Sequence, residues 1–366
     1  MKILIITTHL NPGGIPRYVL NVAKGMRQNG CEVCVASSGG GWLPVLTASG
    51  IEHKWIPVKT KSIASPKLLI SFLLLLPFLR QEKFDVIHCN TRATQMLGAL
   101  IRFFLGVPYV STFHGYYRPH FTRKWIHLCG DRAIAVSNSV KEHMIKDLLI
   151  SDKKISVVYN GIDDTAFTHR SLREPNERFI NGDFVVGILG RISVEKGHFL
   201  GLDAFQLVKE RYPRAKMLIA GFGRLKDKLE IAVRDMGMSD SVIIKAITPD
   251  DFFDAVDVML VPSSKEGFGY VVLEAFIKKV PVVGFNTGGI AEIIHDGHNG
   301  LLFDNYNAEA VRDKIGLMVD DYKMRRSLID NALLSLKQYS LEKMVVETMA
   351  VYNSAIASAG RKINTP

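Results

Sequence analysis

Two glutamates eight residues apart, Glu266 and Glu274, have the spacing that says most about chemistry. Glu266 stands in a glycine-containing loop after a predicted strand, and Glu274 falls about one turn into the following predicted helix. A carboxylate on a packed helix face needs a partner, which ribose hydroxyls would supply. Exposed backbone N–H groups at the start of this helix would bind sugar hydroxyls or phosphate. They belong to Gly267, Phe268, Gly269 and Tyr270.

Two cations follow an earlier predicted strand, at residues 183–190. The strand runs into the loop GRISVEKG, which places Arg191 and Lys196 at the carboxyl end of the strand. Arginine offers a planar fork of donors and lysine a compact charge, so the pair suits a diphosphate. Ordinary solvation of a loop is the alternative. A further glycine loop, GGIAE at 288–292, follows another predicted strand.

A glycine pair near the N-terminus is the third candidate. Gly13 and Gly14 connect the first predicted strand to a helix that begins near Pro16. Glycines permit close backbone approach, and a helix N-terminus carries positive partial charge, so this loop suits an anion. A simple strand-to-helix turn is the alternative. The loop is not GxGxxG, which disfavours an NAD-linked dehydrogenase.

Short β-branched runs alternate with helical stretches along the chain. This alternation is typical of parallel sheets with helices on both faces, so the predicted fold class is α/β with two Rossmann-like domains. Ligands of such sheets bind beyond the carboxyl ends of the strands, where the candidate residues stand. The predicted strands are Lys2–Thr8, Glu32–Ser37, Phe84–Asn90, Pro108–Phe113, Arg132–Ser137, Asp183–Gly190, Lys216–Gly221, Ser241–Lys245, Asp257–Pro262, Pro281–Phe285 and Leu301–Phe303.

The domain boundaries are predicted from a polar stretch that contains a proline and has no apolar periodicity. We expect an N-terminal domain at 1–165, a linker at 166–181 and a C-terminal domain at 182–340. Residues 341–366 carry a periodic helix that could close either domain. Lys278 and Lys279 are interpreted as a solvated helix end.

Composition and charge narrow the class of protein. The chain has 366 residues, 47% hydrophobic and 22% charged, which excludes a disordered or collagen-like protein and suits two domains. Its net charge is +10; residues 1–165 hold 20 Lys and Arg against 10 Asp and Glu, and the remainder holds 26 against 26. This asymmetry favours an anionic partner for the first half, and simple solubility is the alternative.

The cysteines predict a reducing, cytoplasmic location, because four of them in a chain of this length do not form a disulfide framework. Cys31 and Cys34 form a CxxC, but strand alternation points them to opposite faces, which disfavours a metal or redox site.

The apolar run Leu68–Leu79 is interrupted by Pro77 and too short to span a membrane, so a buried core helix is favoured. Mixed aromatic and basic residues at 116–125 suit a membrane interface better.

Together, these motifs resemble the retaining nucleotide-sugar glycosyltransferases of family four, which have the GT-B fold and include glycogen-synthase-like, lipopolysaccharide and capsule enzymes. The resemblance covers nearly the whole chain. In the second half it rests on three features. These are GR at 190–191 with EKG at 195–197, the two glutamates in EGFGYVVLEA at 266–275, and GGIAE at 288–292 followed by HDGHNGLL at 295–302. In the first half it adds the Gly13-Gly14 loop, FHG at 113–115, AVS at 135–137 and NGID at 160–163. Ala291 departs from the proline of many relatives, which we expect to be harmless.

The family implies roles for the matching residues of the second half. Arg191 and Lys196 would neutralise the donor diphosphate, and Glu274 would hold the ribose. Glu266 and the backbone of residues 267–270 would hold the hydroxyls of the donor sugar. Ile247 is a candidate for the base pocket.

The family also implies roles for the first half. The two domains would face each other across a cleft, with Gly13 and Gly14 approaching the diphosphate and His114 lying near the transferred sugar. Without the motif, His114 would be interpreted as a hydrogen-bonded histidine at a strand end. The helix at 341–359 would cross back to pack on the first domain. The expected catalytic residues are His114, Arg191, Lys196 and Glu266.

The sequence contains no Asp-x-Asp, so we expect metal-independent transfer and no cofactor. The predicted reaction moves a hexose or N-acetylhexosamine from a nucleotide-diphosphate sugar, with a UDP-sugar favoured, to a lipid-linked or polysaccharide acceptor of the cell envelope. The basic first domain would contact the inner face of an anionic membrane peripherally. A GT-B nucleotide-sugar epimerase is the alternative, and a basic nucleic-acid-binding protein a more remote one, because no nucleic-acid motif is present.

Overall fold

A computed structural model describes residues 1–60, 62–117, 128–163 and 183–360. The chain divides into two compact units, one formed by Met1–Ile162 with Tyr339–Pro366 and the other by Asp163–Gln338. The predicted linker at 166–181 lies outside the described residues.

The first unit is built on a parallel sheet, which within the described residues has seven strands in the order β3-β2-β1-β4-β5-β6-β7. The strands are β1 (Lys2–Ile6), β2 (Glu32–Ser37), β3 (Glu52–Trp55), β4 (Val86–Cys89), β5 (Tyr109–Phe113), β6 (Arg132–Ala135) and β7 (Ile155–Val157). The helices in the described part of this unit are α1 (Gly14–Gln28), α2 (Leu43–Ala48), α3 (Pro66–Glu82), α4 (Arg92–Leu105), α5 (Asn138–Lys146) and α13 (Leu341–Ser358).

Apolar residues on both faces of this sheet create two core clusters. Along β1, Ile3 and Ile5 pack with α1 and α13, whereas Leu4 and Ile6 pack with α3 and α4. This arrangement is expected of a central parallel strand, which is buried on both faces. Cys31 belongs to the first cluster and Cys34 to the second, so the prediction that they point to opposite faces is confirmed. They therefore cannot share a ligand.

The last helix, α13, packs on the first unit. Gly25 of α1 permits close contact, because a Cβ there would lie 2.3 Å from Cγ2 of Val345. The Tyr352 hydroxyl lies 2.6 Å from Nδ1 of His88, whose Nε2 lies 2.6 Å from Oγ1 of Thr112. Burial lowers the pKa of His88 to about 3. The helix that the sequence could assign to either domain is thus fixed to the first by packing and by a buried polar network.

The apolar run at 68–79 lies within α3, and its interpretation as a core helix holds for one face only. Leu68, Phe72, Leu75 and Leu79 are buried, but the opposite face is also apolar and exposed. Within the described residues, no helix has the length and hydropathy to cross a membrane. Most of the aromatic and basic stretch at 116–125 lies outside the described residues, so its membrane role stays a prediction.

The second unit is a parallel sheet that, in the described part of the chain, has six strands in the order β10-β9-β8-β11-β12-β13. They are β8 (Val185–Leu189), β9 (Lys216–Ala220), β10 (Val242–Lys245), β11 (Val258–Val261), β12 (Val282–Phe285) and β13 (Leu301–Phe303). The helices are α6 (His198–Arg211), α7 (Lys226–Asp235), α8 (Pro249–Ala255), α9 (Tyr270–Ile277), α10 (Gly288–Ile293), α11 (Ala308–Asp320) and α12 (Tyr322–Ser335). This strand order is that of a doubly wound sheet, so both predicted Rossmann-like sheets are present.

Candidate active site

In the second unit, the chain adds strands first on one side of β8 and then, from β11 onward, on the other side. β8 and β11 are neighbours, although they are far apart in sequence. Doubly wound sheets bind ligands at this switch point, beyond the carboxyl ends of the strands. The loops that follow β8 and β11 carry Arg191, Lys196 and Glu266.

The loop after β8 presents its two cations differently. Arg191 is two-thirds exposed, and its guanidinium lies 3.1 Å from the carboxylate of Glu195. Exposed pairs of this kind are weak, so an anionic ligand can displace the carboxylate at little cost. Lys196 ends a short 3-10 turn at Val194–Lys196, and its side chain is only 22% exposed.

Lys196 forms an ion pair with Glu266 of the neighbouring loop, whose side chain is 17% exposed. The sequence assigned these two residues to different parts of a donor, and the structure brings them together. A partly buried lysine already aligned by a carboxylate loses little conformational freedom when it binds a phosphate. The carboxylate left behind needs new donors, and sugar hydroxyls are such donors.

Backbone contacts hold the two loops in register. The N–H of Ser264 donates to the carbonyl oxygen of Glu195 at 2.9 Å. Gly197 has φ +68°, and a Cβ there would lie 2.0 Å from the carbonyl oxygen of Pro262. Only glycine fits that position, because both the backbone conformation and the space exclude a side chain.

The loop after β11 leads into α9 through another glycine. Gly269 precedes the helix with φ 107°, and α9 begins without a side chain that caps its first N–H groups. Glu266 stabilises the loop through its carbonyl oxygen, which accepts a hydrogen bond from the N–H of Gly289 at 3.0 Å. The predicted N–H donors of residues 267–270 therefore stand at the start of a helix. The expectation that this segment is exposed is wrong, because Gly267, Phe268 and Gly269 are buried.

Glu274 is buried in α9, with 4% of its surface exposed. A carboxylate is seldom buried in a core helix without a function or a partner, as the sequence argument assumed. The interpretation of Lys278 as a solvated residue is wrong. Lys278 is 1% exposed, and its Nζ lies 2.5 Å from Oδ1 of Asp250 at the start of α8. Lys278 directly follows α9, and its ion pair with Asp250 compensates the buried charge.

Ile247 lies in the loop after β10, at the edge of the sheet and two strands from β8. Its side chain is half-buried. No described contact joins it to Lys196 or Glu266, so its place in a base pocket stays a prediction.

In the first unit, Gly13 precedes α1 and Gly14 is the first residue of that helix, and both are exposed. A Cβ on Gly14 would meet nothing within 4 Å. The packing of this unit therefore does not require glycine at position 14, which weakens the interpretation of a purely structural turn. The N-terminus of α1 carries no side-chain cap, so its first N–H groups are available to an anion.

His114 follows β5 and is held from two sides. Its Nε2 lies 3.1 Å from Oδ1 of Asn90, and its ring packs edge-on against Tyr18 at 4.8 Å between centroids. Burial lowers the pKa of His114, so the ring is neutral at pH 7. A neutral ring that donates from Nε2 to the Asn90 carbonyl keeps Nδ1 as an acceptor.

Sequence reasoning missed Asn90. It is fully buried and follows β4, and its side-chain N–H is directed to the carbonyl oxygen of Ile6 at 3.4 Å. A signal existed, because Asn90 is a polar residue directly after an apolar strand run, at a strand end where such sheets bind ligands. Within the described ranges, no three His, Cys, Asp or Glu side chains come close enough to hold a metal ion.

Comparisons with known proteins match both halves of the chain. The family described as "Glycosyl transferases group 1" matches residues 171–334, and "Glycosyltransferase Family 4" matches residues 12–166. A capsular polysaccharide biosynthesis glycosyltransferase, CapM of Staphylococcus aureus, is 25% identical over 92% of this chain and 93% of its own.

Two further proteins resemble the chain over most of its length. A UDP-Gal:alpha-D-GlcNAc-diphosphoundecaprenol alpha-1,3-galactosyltransferase of Escherichia coli is 25% identical over 87% of this chain and 89% of its own. The crystal structure of Anabaena Alr3699/HepE in complex with UDP and glucose superposes with a TM-score of 0.82 at 22% identity. It covers 97% of this chain and 100% of that one.

Proposed function

We propose that this chain, which belongs to the family-four glycosyltransferases of GT-B fold, transfers a hexose or N-acetylhexosamine from a UDP-sugar to a glycan or lipid-linked acceptor. Four features go beyond membership of the family and are proposed here: the donor base, the kind of acceptor, retention at the anomeric carbon and independence from metal. UDP is supported by the Anabaena structure, which holds UDP and glucose, and by the name of the Escherichia coli relative.

The observation that carries the proposal is the ion pair between Lys196 and Glu266 at the β8/β11 switch point. It provides a cation for a diphosphate and a carboxylate for sugar hydroxyls in neighbouring loops. Arg191 adds a second, exposed cation, and Glu274 a buried carboxylate for the ribose. A nucleotide-sugar needs these groups together, whereas nucleic-acid binding does not require the two carboxylates.

The proposed reaction breaks the bond between the anomeric carbon and the diphosphate oxygen, and forms a bond from that carbon to the acceptor oxygen on the same face. The acceptor proton passes to the departing phosphate oxygen. Negative charge grows on the leaving diphosphate, so Arg191 and Lys196 stabilise the transition state more than the ground state. Trapping a glycosyl group on Glu266 would refute this front-face route.

We propose that these cations act without a divalent ion. The support is the presence of two cations at one strand end together with the lack of an Asp-x-Asp sequence. Helix N-termini, such as that of α9, add further positive partial charge.

The acceptor is proposed to belong to cell-envelope glycan synthesis, with the enzyme cytoplasmic and peripheral on the inner face of the membrane. The names of the Staphylococcus aureus and Escherichia coli relatives, a capsule enzyme and one with a diphosphoundecaprenol acceptor, support this class. So does the charge of the first half, 20 basic against 10 acidic residues in 1–165.

A thermal-shift panel of UDP-, GDP- and ADP-sugars, each with and without EDTA, tests the donor. A ligand that binds only the native state raises the melting temperature, and we expect UDP-sugars to do so in EDTA. Product analysis by NMR then separates transfer from epimerisation. A transferase consumes the acceptor and conserves the anomeric configuration, whereas an epimerase releases an isomeric UDP-sugar without any acceptor. No shift with any nucleotide-sugar would contradict the proposal.

A further inference from the structure

The helix α3 is apolar on the face that it turns to solvent. Leu69, Ile70, Leu73 and Leu74 are each between 48% and 57% exposed, while the opposite face is packed in the core. A helix that is apolar all round is normally buried on all sides. The protein's own described elements leave this outer face uncovered.

The adjoining end of α4 extends this apolar surface. Phe103 is 81% exposed and Phe104 is 62% exposed. The Phe104 ring lies 5.4 Å from the Phe72 ring of α3, between centroids, and 5.0 Å from the Phe103 ring. The two helices therefore form one surface, here termed the outer patch, which consists of Leu69, Ile70, Leu73, Leu74, Phe103 and Phe104. A contiguous apolar surface of this kind marks an interaction site.

Exposed cations border the outer patch, and the one acidic residue of α3, Glu82, lies in an ion pair with Lys2. Exposed Lys67 and Arg80 stand at the two ends of the apolar stretch of α3. Residues 53–81 contain five Lys or Arg and no Asp or Glu. Leucine and phenylalanine on an exposed helix face, bordered by cations, are typical of a helix that lies in the plane of an anionic membrane surface.

We infer that the outer patch seats the first unit on an anionic phospholipid surface. The inference deepens the proposed function by naming the surface that makes the membrane contact. A second copy fits this surface less well. Pairing about a two-fold axis sets the same patch against itself, which brings the cations at its ends, Lys67 and Arg80, against their equivalents or each other. Anionic headgroups instead neutralise them while the leucines and phenylalanines enter the acyl boundary.

The test is co-sedimentation of the full chain with vesicles of phosphatidylcholine alone and of phosphatidylcholine mixed with phosphatidylglycerol. We expect binding to the mixed vesicles that weakens with salt. Leu73→Gln with Leu74→Gln should weaken partitioning at least about tenfold, because two apolar side chains no longer enter the lipid. Lys67→Gln with Arg80→Gln should abolish the preference for the anionic vesicles. Leu334→Gln on α12, where Leu334 is 63% exposed in the other unit, should change nothing.

The double variant of Phe103→Ser and Phe104→Ser provides a second, independent change to the same surface. Undiminished binding of both apolar variants would overturn the inference, as would failure of the wild-type chain to bind mixed vesicles. So would light scattering that shows a wild-type dimer, monomeric in the variants, with no vesicle binding. The donor-induced thermal shift, measured without vesicles, should survive in every variant. Its loss in the wild type would contradict the proposed function, not the membrane surface.

Discussion

Lys196 and Glu266, seventy positions apart in the chain, form an ion pair between two neighbouring strand-end loops. In the proposed donor complex, the diphosphate would compete with a carboxylate for Lys196. Glu266 would then be released to accept hydrogen bonds from the sugar, so we expect recognition of the two halves of the donor to be coupled. Neither the spacing of the residues nor their types reveals this pairing, because it depends on β8 and β11 being adjacent.

Replacement of Lys196 by alanine removes the cation proposed to hold the leaving diphosphate. We expect kcat/KM to fall about 10²–10³-fold, as for the loss of one transition-state donor in other enzymes. The donor-induced thermal shift should also disappear. Lys265→Ala is the matched control, because Lys265 is an exposed lysine of the neighbouring loop, directly before Glu266. A full-sized thermal shift in the Lys196 variant would remove Lys196 from the donor site.

Gly14→Ala separates a binding role from a structural one. A Cβ at position 14 has open space within its own unit, so we expect the free energy of unfolding to change by no more than about 0.5 kcal/mol. Close approach of a diphosphate would be hindered, and the KM for the donor should rise. Urea unfolding and initial-rate kinetics measure the two effects. Marked destabilisation with an unchanged KM would show that the glycine serves the turn alone.

The buried imidazole of His88 should make stability depend on pH. Its folded pKa of about 3 lies below that of an unfolded histidine, so the unfolded chain binds a proton that the folded chain excludes. The free energy of unfolding should therefore fall as the pH drops from about 6.5 towards 3, by about 1.4 kcal/mol per pH unit from this residue. Urea unfolding at several pH values should show a shallower slope for His88→Gln.

Tyr352→Phe is the control for that experiment, because it removes the hydroxyl that lies 2.6 Å from His88 and keeps the imidazole. It should cost about 1 kcal/mol at every pH and leave the slope as in the wild type. Equal slopes for the wild type and His88→Gln would contradict the assignment of the pH dependence to this residue.

Gly197→Ala tests the packing of the donor loops. The new Cβ would lie 2.0 Å from the carbonyl oxygen of Pro262, so the loops after β8 and β11 must separate. We expect a loss of at least about 3 kcal/mol in unfolding free energy. Gly237→Ala has a similar φ of +67° but open space, and should cost only about 1 kcal/mol. Similar losses in the two variants would mean that backbone conformation alone requires the glycine at position 197.

Much of the fold could be predicted because its central strands are apolar on both faces. The six predicted strands of the second unit all correspond to observed strands. β3 was missed because its sequence, EHKW, has no apolar alternation. β7 was missed because its three residues, ISV, include a serine, whereas the three residues of β13, LLF, are all apolar. Each lies at an edge of the sheet and pairs with a strand that the sequence did predict.

The site was only partly predictable. Sequence placed Arg191, Lys196 and Glu266 at strand ends, where the structure has them, and their roles stay predictions. The sequence predicted neither the contact of Asn90 with the site nor the burial of Lys278. Each depends on a partner distant in sequence, which is His114 for Asn90 and Asp250 for Lys278. Local sequence patterns indicate which residues are buried and whether an element is a helix or a strand. Contacts between residues distant in sequence depend on how the chain orders its strands and helices.

Metal-independent transfer is tested most directly by the rate of UDP release from a UDP-sugar and acceptor, with protein stripped of metal by EDTA. We expect this rate to match, within about twofold, the rate after addition of magnesium or manganese, because Arg191 and Lys196 are proposed to supply the positive charge at the leaving group. A protein that is inactive until a divalent ion is added would contradict metal-independent transfer.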